Sequence, residues 1–142
     1  MDRPAPSRRD TYNHFTMVTT RWMDNDVFGH LNNAVYYSLF DTAVTTTLMQ
    51  AGVLDWKGGA QFMVVAESGC RYHRSVAFPD PLTIGLRIEA IGRSSIRYGL
   101  AVFDAGDTAA ADGFFVHICV DSATRRPAPL PPDWRALLTA LG

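Results

Sequence analysis

Strict alternation of apolar and polar positions marks the second half of the chain. Leu82, Ile84, Leu86 and Ile88 occupy every second position of one segment, which is the period of a half-buried β-strand. Other segments are rich in β-branched and aromatic residues and are bounded by Gly, Pro or Asp, as strands usually are. The pattern predicts five strands, at His14–Trp22, Gln61–Ser75, Leu82–Ile91, Ile96–Asp104 and Ala110–Asp121.

A helical period replaces the alternation between Asn33 and Ala51. One face of this predicted helix carries Val35, Leu39, Ala43 and Leu48. Gly52 follows at the position where a left-handed residue commonly ends a helix. A second, short helix is predicted at Asp133–Leu141, with Asp133 as its N-cap.

The order of elements predicts an α+β domain with two layers. One strand and a long helix come first, a Gly-containing connection follows at 55–59, and four strands joined mostly by short turns come next. Short turns imply antiparallel pairing, and one apolar helix needs one sheet face to cover it. We expect a single domain over residues 1–142 with its core at about 14–122. The polar, Pro-rich residues 1–12 are expected to be loose, and residues 123–142 peripheral.

Composition and charge exclude several function classes. The formal net charge of −1 gives no basic surface for nucleic acid or an anionic membrane. No run of about 18 apolar residues is present, and the first fifteen residues lack the apolar stretch of a secretory signal. Cys70 and Cys119 lie in apolar, strand-like surroundings, which favours reduced core thiols. We therefore expect a cytoplasmic protein.

Polar groups crowd the segment just before the long helix, which reads RWMDNDVFGHLNNAVYYSLF from Arg21 to Phe40. The N-terminus of a helix carries free N–H groups and a partial positive charge, which can polarise a carbonyl group. Asp24 or Asp26 beside it could attack that carbonyl or deprotonate a water molecule. Gly29 permits close approach to the backbone. The segment therefore combines an electrophile site with a base.

Simpler interpretations remain open for each of these residues. Either aspartate could cap the helix or order the turn, and Asn32 and Asn33 are good turn residues. His30 could be a hydrogen-bonded structural residue. A divalent metal held by Asp24, Asp26 and His30 is a further interpretation, but no other His/Cys/Glu cluster with ligand spacing supports it, so no metal is expected.

Taken together, Asp24 to Tyr36 resemble a family signature. The string DNDVFGHLNNAVY resembles the D-x-D-x-x-G-H-x-N-N-x-x-Y motif of hotdog-fold acyl-CoA thioesterases, in the 4-hydroxybenzoyl-CoA thioesterase-like branch. Weaker similarities follow at Phe62–Arg74, Pro79–Leu82 and Gly92–Ser95. The resemblance implies a hotdog fold, in which one five-stranded antiparallel sheet wraps around a long central helix, here with a short C-terminal helix added.

The resemblance also implies a reaction and its residues. A thioesterase hydrolyses an acyl-CoA to free CoA and a carboxylic acid, without a cofactor. Asp26 corresponds to the catalytic carboxylate, acting as nucleophile or general base. The backbone N–H of Asn33 would receive the thioester oxygen, Gly29 would let the substrate approach, and His30 would assist. Asp24 is assigned to loop architecture. The aromatic-CoA enzymes that name the branch lack the G-H-x-N-N form, so 4-hydroxybenzoyl-CoA itself is not implied.

Substrate contacts and assembly are implied less directly. Tyr36 would pack or line the acyl pocket, and Arg93, Ser94 and Ser95 would contact the nucleotide of CoA. Other basic candidates for the CoA phosphates are Arg71, His73, Arg74, Arg125 and Arg126, which could equally form solvated surfaces. Hotdog domains form homodimers, often stacked into tetramers, with active sites at the subunit interface. Asp41 or Glu67 could supply a second acid from a partner subunit.

Two other functions remain open at this stage. The chain could be a non-catalytic module that binds acyl-CoA or an acyl carrier, because fold alone does not fix function. It could also be a hotdog hydratase that acts on an enoyl-CoA chain, although the His/Asp arrangement of those enzymes is not found in the sequence.

Overall fold

The computed structural model describes residues 2–54 and 58–142, so most of the predicted connection at 55–59 lies outside the described residues. Five antiparallel strands form one sheet in the order β1-β3-β4-β5-β2. The strands are β1 His14–Val18, β2 Gln61–Tyr72, β3 Leu82–Ile91, β4 Ser95–Phe103 and β5 Ala111–Asp121. Helix α1 spans Val35–Ala51 and helix α2 spans Pro132–Leu141. The predicted α+β architecture is confirmed.

The predicted and observed bounds of the elements differ most between β1 and α1. β1 ends at Val18 rather than Trp22, and Trp22–Asp24 forms a 3₁₀ turn. The carboxylate of Asp24 accepts the Arg21 N–H at 2.8 Å and the Arg21 guanidinium at 3.0 Å, which turns the chain away from the sheet. Helix α1 begins two residues later than predicted, at Val35.

Of the two helix ends for which the sequence predicts a specific residue, one is confirmed. Gly52 ends α1 with φ 80°, as the sequence predicts. Helix α2 begins at Pro132, with Pro131 as its N-cap, so the prediction that Asp133 caps it is wrong. Proline at the first helical position has its φ already set and needs no N–H partner. Asp133 lies within the first turn instead.

The prediction that residues 1–12 are loose is wrong for residues 7–12. Asp112 accepts the N–H and the hydroxyl of Ser7 at 2.9 and 2.7 Å. The Arg9 guanidinium donates to the carbonyl of Asp104 at 2.9 Å. Tyr12 is buried, with its ring edge-on to Phe103 at 5.7 Å. The N-terminal segment is therefore fixed across the sheet by specific contacts that its polar composition does not reveal.

The main core lies between α1 and the sheet. Phe40 of α1 is fully buried and meets Phe115 of β5 edge-on, with ring centroids 6.1 Å apart. A buried polar pair lies in the sheet beside it, where the hydroxyl of Tyr98 and Nδ1 of His117 are 3.1 Å apart. Burial lowers the pKa of His117 to about 4 and raises the pKa of the Tyr98 hydroxyl.

Burial of His117 predicts a loss of stability in acid. An unfolded chain protonates histidine at a pKa of about 6.5, so below that pH it binds more protons than the folded chain. The free energy of unfolding should therefore fall by about 2 kcal/mol between pH 7 and 5 through this residue. Urea unfolding of the wild type and of His117→Gln at both pH values measures the effect. Equal pH slopes in the two proteins would contradict it.

Candidate active site

The loop before α1 is closed by its own backbone. Asn25 and Leu31 form an antiparallel bridge. Inside it, the N–H of Asp26 donates to the His30 carbonyl at 3.0 Å, and the N–H of Gly29 donates to the Asp26 carbonyl at 3.1 Å. Gly29 has φ 85°, a left-handed conformation that a side chain would strain. The loop therefore holds Asp26 and His30 next to each other.

Asp24 lies where it orders the loop through contacts with Arg21. Its side chain is buried, and its oxygens are taken up by the N–H and guanidinium of Arg21. Burial alone would raise the pKa of Asp24, but the hydrogen bonds from Arg21 outweigh it and lower that pKa. Both oxygens of Asp24 are held by Arg21, which is the arrangement expected of a residue that orders the loop.

Asp26 keeps one oxygen available. Its Oδ1 accepts the N–H of Phe28 at 2.9 Å, which fixes the carboxylate. Its Oδ2 lies 3.9 Å from Nδ1 of His30, and the side chain is 20% exposed. Nδ1 of His30 also lies 3.2 Å from the Leu31 carbonyl. The arrangement presents a partly shielded carboxylate with an imidazole beside it.

A cavity of about 280 Å³ brings four predicted residues together. Asp26, His30, Asn33 and Tyr36 line it. The remaining lining comes from Leu31, from Tyr72 and Ser75, which the sequence did not predict, and from His73 and Arg74. The sequence predicts His73 and Arg74 only as candidates for the CoA phosphates, because nothing local to them shows that the end of β2 faces α1.

Asn33 offers a backbone donor at the start of α1. The N–H of Ala34 is taken by Oδ1 of Asn32 at 2.9 Å, and that of Val35 by the Asn32 carbonyl at 3.0 Å. Among the described residues, no acceptor pairs with the N–H of Asn33. The Asn33 carbonyl accepts the hydroxyl of Tyr72 at 2.8 Å. A free N–H in an anchored segment can bind a developing oxyanion.

Gly29 does not line the cavity. A Cβ added there would meet no atom within 4 Å, so within one chain only its backbone conformation requires glycine. Close approach of a substrate to Gly29 remains a prediction.

The turn Arg93–Ser95 lies at the other end of the sheet. Ser95 pairs with Ile118, and Ile118 pairs with Val64 of β2. Tyr72, at the cavity, is eight residues further along β2, or about 26 Å at the usual rise per residue. One chain therefore does not bring Arg93, Ser94 and Ser95 to its own cavity, and their contact with the nucleotide remains a prediction. Asp41 and Glu67 are exposed and also lie outside the lining.

Two other kinds of feature are absent from the described part of the chain. Within 2–54 and 58–142, no group of three His, Cys, Asp or Glu side chains is placed to hold a metal ion. Over the same ranges, no helix is long and apolar enough to cross a membrane.

Comparisons with known proteins identify the family of the chain. Residues 18–138 match the Thioesterase-like superfamily. The PA5185 protein of Pseudomonas aeruginosa strain PAO1 has a crystal structure with 45% identity and a TM-score of 0.92, covering 97% of this chain and 96% of that one. A thioesterase of Thermus thermophilus, solved with coenzyme A and Zn, has 34% identity and a TM-score of 0.78, covering 92% and 94%.

Curated relatives are more distant. The long-chain acyl-CoA thioesterase FadM of Escherichia coli strain K12 is 25% identical over 125 residues, which is 87% of this chain and 95% of FadM. Another curated relative, of 26% identity, is matched over 65% of its own length.

Proposed function

The chain belongs to the Thioesterase-like superfamily, and from that premise we propose that it is an acyl-CoA thioesterase with Asp26 as its reactive carboxylate. The observation that carries the proposal is that two residues line the same cavity: Asp26, whose Oδ1 is fixed by the Phe28 N–H, and Asn33, whose N–H has no acceptor among the described residues. The CoA complex of the 34% identical thioesterase and the acyl-CoA activity named for FadM support CoA as the thiol carrier.

The geometry supports a simple reaction course. The thioester oxygen accepts the N–H of Asn33 at the start of α1, where the helix dipole favours negative charge. Asp26 either attacks the carbonyl carbon through Oδ2 or takes a proton from the water that attacks it. A new C–O bond forms, the C–S bond breaks, and CoA leaves as a thiolate that is then protonated. In the nucleophilic case, water hydrolyses the acyl-Asp26 anhydride.

A panel of acyl-CoAs tests the function directly. Short, medium, long and aromatic acyl-CoAs are incubated with the protein, and the released thiol is measured with a thiol-reactive dye. Turnover of at least one substrate is expected. Tight CoA binding by calorimetry without turnover of any thioester would instead favour a binding module. Loss of the enoyl absorbance of crotonyl-CoA without released thiol would favour a hydratase.

The CoA nucleotide is proposed to bind across a homodimer. β2 is an edge strand, and Val64 and Val65 in its middle are 39% and 44% exposed. Antiparallel pairing of β2 with a second β2 would reverse the direction of the partner's sheet. Arg93, Ser94 and Ser95 of the partner subunit would then approach the cavity end of the first chain. Two such dimers could stack into a tetramer.

A substitution that prevents pairing of the β2 strands is expected to separate the subunits and also to lower the thioesterase activity. Val65→Arg places a charge on the exposed edge, which opposes strand pairing. Met17→Arg, on the exposed part of β1 at the opposite edge, is the matched control. Sedimentation velocity should show a dimer or tetramer for the wild type and the control, and a monomer of reduced activity for Val65→Arg. A fully active monomer would contradict the proposal.

A further inference from the structure

A second histidine lines the proposed active site. His73 follows the end of β2, and its N–H donates to the Ala110 carbonyl at 2.8 Å. His73 lines the cavity that contains Asp26 and His30, and its side chain is 7% exposed. The thioesterase reaction as described above gives this residue no role.

An acidic partner lies behind the His73 ring. Nε2 of His73 is 3.0 Å from Oδ2 of Asp112, whose side chain is 10% exposed. The contact is close but poorly aligned, so Nε2 has no well-directed hydrogen-bond partner among the described residues. Oδ2 also accepts the N–H and the hydroxyl of Ser7 at 2.9 and 2.7 Å. Ser7 therefore holds the carboxylate of Asp112 against the imidazole.

Asp112 stays charged in this position. Burial would raise the pKa of Asp112, but the hydrogen bonds from Ser7 and the neighbouring His73 outweigh burial and lower that pKa. A carboxylate facing Nε2 favours the tautomer in which that nitrogen carries the proton. The other nitrogen, Nδ1, then carries the lone pair that can accept a proton.

We propose that His73 is the imidazole that activates water in this cavity, with Asp112 and Ser7 as its positioning residues. The inference rests on the proposed thioesterase function. Once Asp26 holds the acyl group, the water oxygen bonds to the acyl carbon and the water proton passes to Nδ1 of His73. The bond from that carbon to Asp26 breaks, which releases the carboxylic acid and the Asp26 carboxylate, and the imidazolium returns its proton to solvent. A carboxylate behind an imidazole serves the same purpose in serine hydrolases, by orienting the ring and stabilising its charged form.

The competing interpretation is structural. Ser7 belongs to the N-terminal segment, so the contacts from Ser7 through Asp112 to His73 could only clamp that segment onto the sheet. A clamp predicts reduced stability when His73 is removed. It does not predict that a diffusible imidazole restores the lost rate.

Chemical rescue separates the two interpretations. For His73→Ala we expect kcat to fall about 100-fold, the usual scale for losing a general base, with KM changed less than about threefold. Added imidazole should raise the kcat of His73→Ala at least about tenfold. His14→Ala is the matched control, because His14 contacts the Leu141 carbonyl at 2.7 Å and lies outside the cavity. Its rate should be unchanged and should not respond to imidazole.

Several outcomes would overturn the inference. A His73→Ala protein with kcat within about threefold of the wild type would do so. A folded His73→Ala protein whose lowered kcat does not rise with added imidazole would also do so. If His73→Ala does not fold, Asp112→Asn takes its place, because it keeps the side-chain shape and should still lower kcat at least about tenfold; an unchanged kcat would count against the inference. A wild type that hydrolyses no acyl-CoA would overturn both this inference and the proposed function.

Discussion

Asp26→Asn is expected to lower kcat on the best acyl-CoA about 1,000-fold, because the amide can neither attack a thioester nor accept a proton from water. The amide oxygen can still accept the Phe28 N–H that fixes the side chain, so the loop should keep its shape. Since the Asn33 donor is untouched, KM should change less than about threefold. Steady-state kinetics on the substrate chosen from the acyl-CoA panel measure both values.

Asp41→Asn is the matched control for this variant. Asp41 is an exposed aspartate on α1 outside the cavity lining, so the same chemical change should leave kcat within about threefold of the wild type. Asp26→Asn with kcat in that same range would show that Asp26 is not the reactive carboxylate. A large loss in Asp41→Asn would instead indicate that Asp41 supplies the second acid from a partner subunit that the sequence left open.

The fold could be predicted where the pattern is local. Leu82–Ile91 appears in the structure with the predicted bounds, because strict alternation reflects one buried and one less buried face. The strand predicted at His14–Trp22 is shorter because the Asp24 carboxylate accepts the Arg21 N–H. The strand propensity of single residues does not describe this interaction. Residues 1–12 were expected to be loose because their order depends on partners about a hundred residues away in sequence, such as Asp112.

The residues of the site could likewise be predicted only where they are close in sequence. Asp26, His30, Asn33 and Tyr36 lie within eleven residues of one another, so a motif in a single loop and helix could indicate them together. Tyr72 and His73 join them only because the end of β2 meets the start of α1 in space. The turn Arg93–Ser95 is separated from the cavity along the whole sheet, so a single chain can neither confirm nor contradict its predicted role.

The sheet behind the cavity depends on a close approach between β5 and β2. A Cβ added to Gly113 would overlap the Gly69 carbonyl oxygen and lie 3.0 Å from the Cys70 Cα. Both are backbone atoms, which cannot move without shifting β2. Gly113→Ala should therefore lower the free energy of unfolding by about 3 kcal/mol or more, the upper range for overpacking. Urea unfolding measures the loss.

Gly99→Ala is the matched control for this effect. Its added Cβ would meet Nε of Arg87 at 2.9 Å and the Glu89 carboxylate at 3.0 Å, which are the ends of flexible side chains. These ends can move aside, so the loss should be less than about 1 kcal/mol. Equal stability losses in the two variants would contradict the close approach of β5 and β2. Because β2 ends at Tyr72, whose hydroxyl anchors the Asn33 carbonyl, Gly113→Ala should also lower kcat more than Gly99→Ala does.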